Sequence, residues 1–206
     1  MTLFMVVLDV DAGYDKFAYE LLLKNLEKTE RVIPLFIGQI FETADLEIMI
    51  QATDVDSLNE FILKRMRSIK EIRETMVYPI TSFKGLAEFS LANFQSSYSS
   101  DQDKTVEFPL FTIKLDVAPT KDVGVYQTLS KLSMTDTILP AFVGYTFQQA
   151  DFDIGFYFFA MDLQSAWDFV QGELRSIDGV WDTEIGVVIH IQSLVSAEDM
   201  AHILHE

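Results

Sequence analysis

The chain has 206 residues and 49% hydrophobic content, enough for one large core or two small ones. Its 32 acidic against 15 basic residues, a formal charge of −17, repel a phosphate backbone and anionic lipid, which excludes direct nucleic-acid binding and leaves solubility as the plain reading of the charge. With no cysteine and only His190, His202 and His205, disulfide frameworks, thiolate nucleophiles and most zinc sites are excluded as well. No apolar run is long enough to cross a bilayer, and the start lacks the basic and apolar regions of a signal peptide, so a soluble cytoplasmic protein with no membrane partner is expected.

Leu3–Val10 is apolar and β-branched enough for a largely buried strand, and Asp11-Ala12-Gly13 is a turn. From Tyr14 to Lys28 the apolar Phe17, Leu21, Leu22 and Leu26 share a helical face, with Asp15, Lys16, Glu20, Lys24 and Glu27 on the other. Pro34 opens a second strand, Glu42–Asp45 turns the chain, and Leu46–Ala52 returns as a third. Asp54 or Asp56 caps a helix whose Leu58, Phe61, Ile62, Arg65 and Met66 share a face, and Ile72–Ile80 is the last strand. The order is βαββαβ. The centre of the joining stretch, Ser96–Asp103, reads as a flexible linker. Leu86, Ala87, Phe89, Leu91 and Phe94 are too apolar to float free and are expected to lie over a unit. A second unit follows: strand Phe108–Val117, helix Asp122–Leu132, hairpin Ala141–Ala160, helix Asp162–Leu174 and strand Val180–Ile191. Ser196-Ala197-Glu198-Asp199 has capping-box character and opens a terminal helix.

The second unit repeats the first. Leu3-Phe4 and Leu8-Asp9-Val10 return as Leu110-Phe111 and Leu115-Asp116-Val117 at an offset of 107. Ile33–Gly38 and Ala44-Asp45-Leu46-Glu47-Ile48 return as Leu139–Gly144 and Ala150-Asp151-Phe152-Asp153-Ile154 at 106. Arg67-Ser68-Ile69 and Thr75 return as Arg175-Ser176-Ile177 and Thr183 at 108, so two residues are gained after the hairpin. The expected organisation is α+β: a ferredoxin-like unit over 1–81, a joining segment over 82–107, a second unit over 108–195, and a helix over 196–206. Each unit has one face of its sheet covered by helices and one bare, which calls for pairing of the two faces.

The segments Met66-Arg67-Ser68-Ile69-Lys70-Glu71-Ile72-Arg73-Glu74-Thr75 and Leu174-Arg175-Ser176-Ile177-Asp178-Gly179-Val180-Trp181-Asp182-Thr183, with the hairpins Thr43–Glu47 and Gln149–Asp153, resemble the effector-binding domain of the Lrp/AsnC (feast/famine) regulators. The resemblance covers about 80 residues of each unit. It implies a ferredoxin-like pair forming a dimeric α/β barrel, here within one chain, and a small-molecule effector such as an amino acid held by hairpins and last strands. Carried over, the ligand-binding candidates are Ala44, Asp45, Glu47, Thr75, Val77 and Tyr78 in the first unit and Ala150, Asp151, Asp153 and Thr183 in the second. Alanine stands where the family has a hairpin glycine, and the family's helix-turn-helix has no counterpart, so action through protein partners is expected, in a homo-oligomer or with related regulators.

A hairpin carboxylate can hold an ammonium by a charge-assisted hydrogen bond; the plain alternative is a solvated turn residue. No catalytic motif is recognised, so neither an enzyme nor a cofactor is the first expectation. One alternative is a dimeric α/β-barrel enzyme, cofactor-free and monooxygenase-like or binding haem through His190, which ends an apolar strand. Another is a structural adaptor for full-length regulators. His202 and His205 read as surface residues on the terminal helix. The aromatic group Phe152, Phe156, Tyr157, Phe158, Phe159, Trp167, Phe169 and Trp181 reads as core, or else as lining for a pocket or interface.

Overall fold

A computed structural model describes residues 1–41, 45–86, 109–146, 152–196 and 199. The elements are β1 (Thr2–Val10), α1 (Asp15–Asn25), β2 (Val32–Phe41), β3 (Leu46–Ala52), α2 (Val55–Arg65) and β4 (Ile72–Gly85), then β5 (Leu110–Val117), α3 (Asp122–Leu129), β6 (Ile138–Thr146), β7 (Ile154–Ala160), α4 (Leu163–Gly172), a 3₁₀ turn at Leu174–Ser176, and β8 (Val180–Ser193). All eight strands pair antiparallel into one closed barrel, in the order β1-β3-β2-β8-β5-β7-β6-β4. The two βαββαβ halves therefore share one α+β sheet instead of merely stacking two.

Closure depends on the last strands. Both β4 and β8 run for 14 residues, past the Ile80 and Ile191 ends that the sequence suggests. Their extra residues pair across the seams, Phe83 with Gly144 and Gln192 with Ile37. Beyond each strand the crossing continues: Leu86 N–H donates to Ala141 O at 2.9 Å, and Leu194 N–H to Leu35 O at 2.8 Å. Leu86 is buried in the second half's helix layer and Leu194 packs against the first half's. A fully buried leucine contributes roughly 2 kcal/mol, so each half holds a tail of the other.

Strand alternation sorts the side chains into three layers. Phe4, Val6, Leu8, Ile48 and Ile50 face outward beneath α1 and α2. Phe111, Ile113, Leu115, Phe156 and Phe158 do the same beneath α3 and α4. Met5, Val7, Leu35, Phe36, Met49, Tyr78, Phe142, Tyr157 and Phe159 fill the barrel itself. The first helix buries Leu22, and Leu26 just past its end, as expected, together with Ala18 and Tyr19, while Phe17 is exposed. The aromatic group divides too, because Trp167 and Trp181 lie on the surface, Trp181 with 70% of its area open.

Local hydrogen bonds repeat with the fold. Thr29 and Thr135 accept on Oγ1 from Val32 and Ile138 N–H, each at 3.0 Å. Asp54 and Asp162 cap α2 and α4 by accepting from Ser57 and Ser165 N–H, each at 2.7 Å. Gly179 departs from the symmetry: it has φ +105, and a Cβ there would lie 2.5 Å from Lys121 Cβ, so only glycine fits. Its partner position is Glu71, and the contact the two share is through the backbone, Asp11 N–H to Glu71 O and Ala118 N–H to Gly179 O.

Candidate functional site

The hairpin carboxylates separate into two roles. Asp45 Oδ2 accepts from Val10 N–H at 2.6 Å, and Asp153 Oδ2 accepts from Val117 N–H at 2.7 Å. Val10 and Val117 are equivalent strand ends, so Asp45 corresponds to Asp153, and not to Asp151 as the repeated Ala-Asp suggests. The two-residue shift falls inside the hairpin instead of after it. In both halves this carboxylate satisfies the last amide of the first strand, a charge-assisted bond that fixes the hairpin's base.

With that correction, Glu47 corresponds to Gly155, since β3 pairs Val7 with Glu47 where β7 pairs Lys114 with Gly155. Glu47 faces the barrel interior and is 3% exposed; Lys114, on β5, is 13% exposed with Nζ 3.9 Å from Glu47 Oε1. Across the barrel from β3, on β7, Tyr157 donates its hydroxyl to Glu47 Oε2 at 2.5 Å. Complete burial, then the Glu47 carboxylate, push the Tyr157 hydroxyl well above its ordinary value of 10, with the Thr112 hydroxyl opposing. The phenol is therefore a donor throughout the neutral range. The Lys114 ammonium also lies 5.6 Å from the centre of the Phe152 ring, a cation–π distance.

These groups line a cavity of about 20 Å³ bounded also by Met5, Met49 and Thr146, room for one water. Removing an ion from water costs several kcal/mol after relaxation, and nothing in the fold requires that here. The equivalent positions of the other half, Gly155, Val7 and Met49, build the same strands without a charge. The site is thus single and composite: one half supplies the carboxylate, the other the ammonium and the phenol. Chemically it offers a buried proton acceptor flanked by two donors that can stabilise an anion.

Of the residues singled out from the sequence, Glu47 and Tyr78 share this interior, where Tyr78 packs edge-on to Phe152 at 5.2 Å. Thr75 and Val77 stand in register with Leu8 and Val6 on the helix-covered side; Thr75 Oγ1 is buried with no hydrogen-bond partner among the described residues. Thr183 accepts from Arg175 Nε at 2.8 Å outside the barrel. Ala44, Ala150, Asp151, His202 and His205 lie outside the described residues. Lys114 went unnoticed in the sequence, although a lone charge within the otherwise apolar Leu110–Leu115 run is a visible signal. His190 does not enter the barrel: it is exposed, its ring 6.1 Å from that of Tyr19 on α1. Among the described residues no histidine lines the interior, so they do not fit an axially ligated haem.

No protein-family model matches the chain, and no curated protein matches it. Solved structures do match. An anthrone oxidase-like protein is similar at a TM-score of 0.55 and 11% identity, over 95% of this chain and 94% of that one. A mutant chlorite dismutase from Candidatus Nitrospira defluvii is similar at 0.50 and 10% identity, over 100% of this chain and 95% of that one. The likeness is one of fold and extends over both halves. Among the described residues no helix is long and apolar enough to cross a membrane.

Proposed function

We propose that the chain is a dimeric α/β-barrel protein that takes a small, largely apolar molecule at the barrel centre and acts on it as a cofactor-free enzyme. Glu47 accepts a proton from an acidic C–H or O–H of the substrate. The negative charge left on a substrate oxygen is met by Lys114 Nζ and by the Tyr157 hydroxyl, released from Glu47 once that carboxyl is protonated. The carrying observation is the Glu47–Tyr157–Lys114 group itself, buried at an expense that the matching half of the barrel avoids. The likeness to an anthrone oxidase-like protein and a chlorite dismutase is one of fold and supports the barrel as the frame, while the motif resemblance supports a regulator. Met5 and Met49, unbranched and on the cavity wall, can repack to admit a molecule larger than water.

The test is exchange of substrate hydrogen with deuterated water, followed by NMR over a panel of phenols and enolisable carbonyl compounds. Wild-type protein should accelerate exchange for at least one, and Glu47→Gln should lower that rate by roughly 10²- to 10⁴-fold. Equal rates in the two proteins would dispose of the assignment.

One feature favours a second reading, a sensor acting through protein partners. A carboxylate and an ammonium 3.9 Å apart complement the two charges of an amino acid, the effector class that the Lrp/AsnC resemblance implies. Under that reading amino acids at 100 times their Kd raise stability by roughly 2.7 kcal/mol, without any exchange chemistry.

A further inference from the structure

A second cavity lies on the outside of the first half, where the start of β2 meets the last turns of α2. It measures about 440 Å³ and is lined by Arg31, Lys64 and Arg65, the carboxylates Glu30 and Glu60, and Ser57 and Phe61 at its floor. That volume is within the range of small-molecule sites, roughly 300–1,000 Å³. Lys64 is engaged with Glu60, and its hydrogen bond and charge hold that carboxyl below its ordinary value, with a smaller contribution from Arg31.

Three cations around one concavity are unexpected on a chain of charge −17. A basic last turn complements a helix dipole, which would explain Lys64 and Arg65 without any ligand. The duplicated half tests that explanation. The clasp at Thr135, the cap at Asp162 and the buried Phe169 reproduce Thr29, Asp54 and Phe61. Yet the positions of Arg31, Lys64 and Arg65 are held there by Thr137, Gly172 and Glu173, and α4 has no basic residue in its last turn. The same helix and strand therefore form without cations, and the dipole does not demand them. The carboxylates are kept in both halves, as Asp136 and Asp168, so the cations alone distinguish the first.

We infer that this cavity binds a phosphate-bearing small molecule. Arg31 and Arg65 supply planar, multiply donating groups suited to phosphate oxygens, Lys64 can leave Glu60 to add a point charge, and Phe61 gives the remainder of the ligand an apolar floor. The site is independent of the barrel interior.

Calorimetric titration of the full chain with inorganic pyrophosphate, AMP and adenosine at low ionic strength tests the inference. Pyrophosphate and AMP should bind and adenosine should not, with affinity falling as salt is raised. The double variant Arg31→Gln/Arg65→Gln should weaken pyrophosphate binding by roughly tenfold or more, and Lys64→Gln by less. Arg31 and Lys64 are exposed and Arg65 is half-buried, so circular dichroism should be unchanged. Absence of pyrophosphate binding, or an affinity that the double variant leaves intact, would overturn it.

Discussion

Replacing Glu47 by Leu and Lys114 by Met, singly and together, separates a charged group kept for function from one that holds the barrel. Lys114→Met leaves the Glu47 carboxylate 3% exposed, with the Tyr157 hydroxyl donating to it. An uncompensated buried charge costs about 3–5 kcal/mol. Glu47→Leu leaves the ammonium, which is the more exposed of the pair at 13% and keeps the Phe152 ring, so about 3 kcal/mol is expected. The double variant keeps the side-chain volumes close to the originals and leaves no buried ion, so it should fall within about 1 kcal/mol of wild type or exceed it. With a urea slope of roughly 3 kcal/mol/M, each single variant moves the unfolding midpoint down by about 1 M, and the double variant restores it. Urea unfolding followed by circular dichroism gives the full cycle. A double variant no more stable than the weaker single one would show that the barrel needs the charges, and the reason for assigning them a chemical task would be gone.

Other outcomes follow from the duplicated contacts. Asp54→Ala and Asp162→Ala should each lower the melting temperature by about 2–4 °C, and additively, since the caps sit on different halves. The Ser57 N–H and neighbouring hydroxyls hold Asp54 at about 2, so its contribution is present above the unfolded carboxyl value and disappears as pH falls from about 4 to 2; the Asp54→Ala difference measured by thermal melting should vanish over that window. Asp45→Ala and Asp153→Ala should each destabilise by about 1–3 kcal/mol in denaturant, because the Val10 and Val117 amides lose their acceptors. At alkaline pH, the Asp122 hydrogen bond holds Tyr145 near 12 and burial does the same for Tyr19, so phenolate absorbance should show them ionising late. Their raised values add stability that is complete below pH 10 and is lost as pH climbs toward 12. Gly179→Ala should cost about 1–3 kcal/mol by thermal unfolding, more than Gly13→Ala, where φ is also positive but nothing crowds the new methyl.

Much of the architecture is legible in the residues. Strand alternation, a helix opening at Asp54 or Asp56 and another at Asp162, and offsets of 106, 107 and 108 suffice for two βαββαβ halves. The hairpin is where the reading slips, because Ala-Asp is too short a pattern to set a register. Ala52 and Ala160, each two residues before a capping Asp, carry the offset of 108 back along β3 and β7, and would have paired Glu47 with Gly155. The site itself is hard to see beforehand, since Lys114, Glu47 and Tyr157 meet across the barrel from strands distant in sequence. Amphipathic spacing also misplaces Phe17: the face of α1 over the sheet carries Ala18, Tyr19 and Leu22, and the methyl of Ala18 marks a place of close approach that a pattern of large apolar residues does not reveal.

The pairing of Glu47 with Gly155 has a meaning that belongs to symmetry. In a homodimer of identical subunits, a residue near the two-fold axis must occur twice or not at all. A glutamate at this place would face its own copy, and a lysine likewise, setting like charges against each other in a dry interior. Joining the halves in one chain lifts that constraint, because each copy mutates alone. The barrel can then place a single acid–base pair at its centre, where a homodimer would have to build the pair twice.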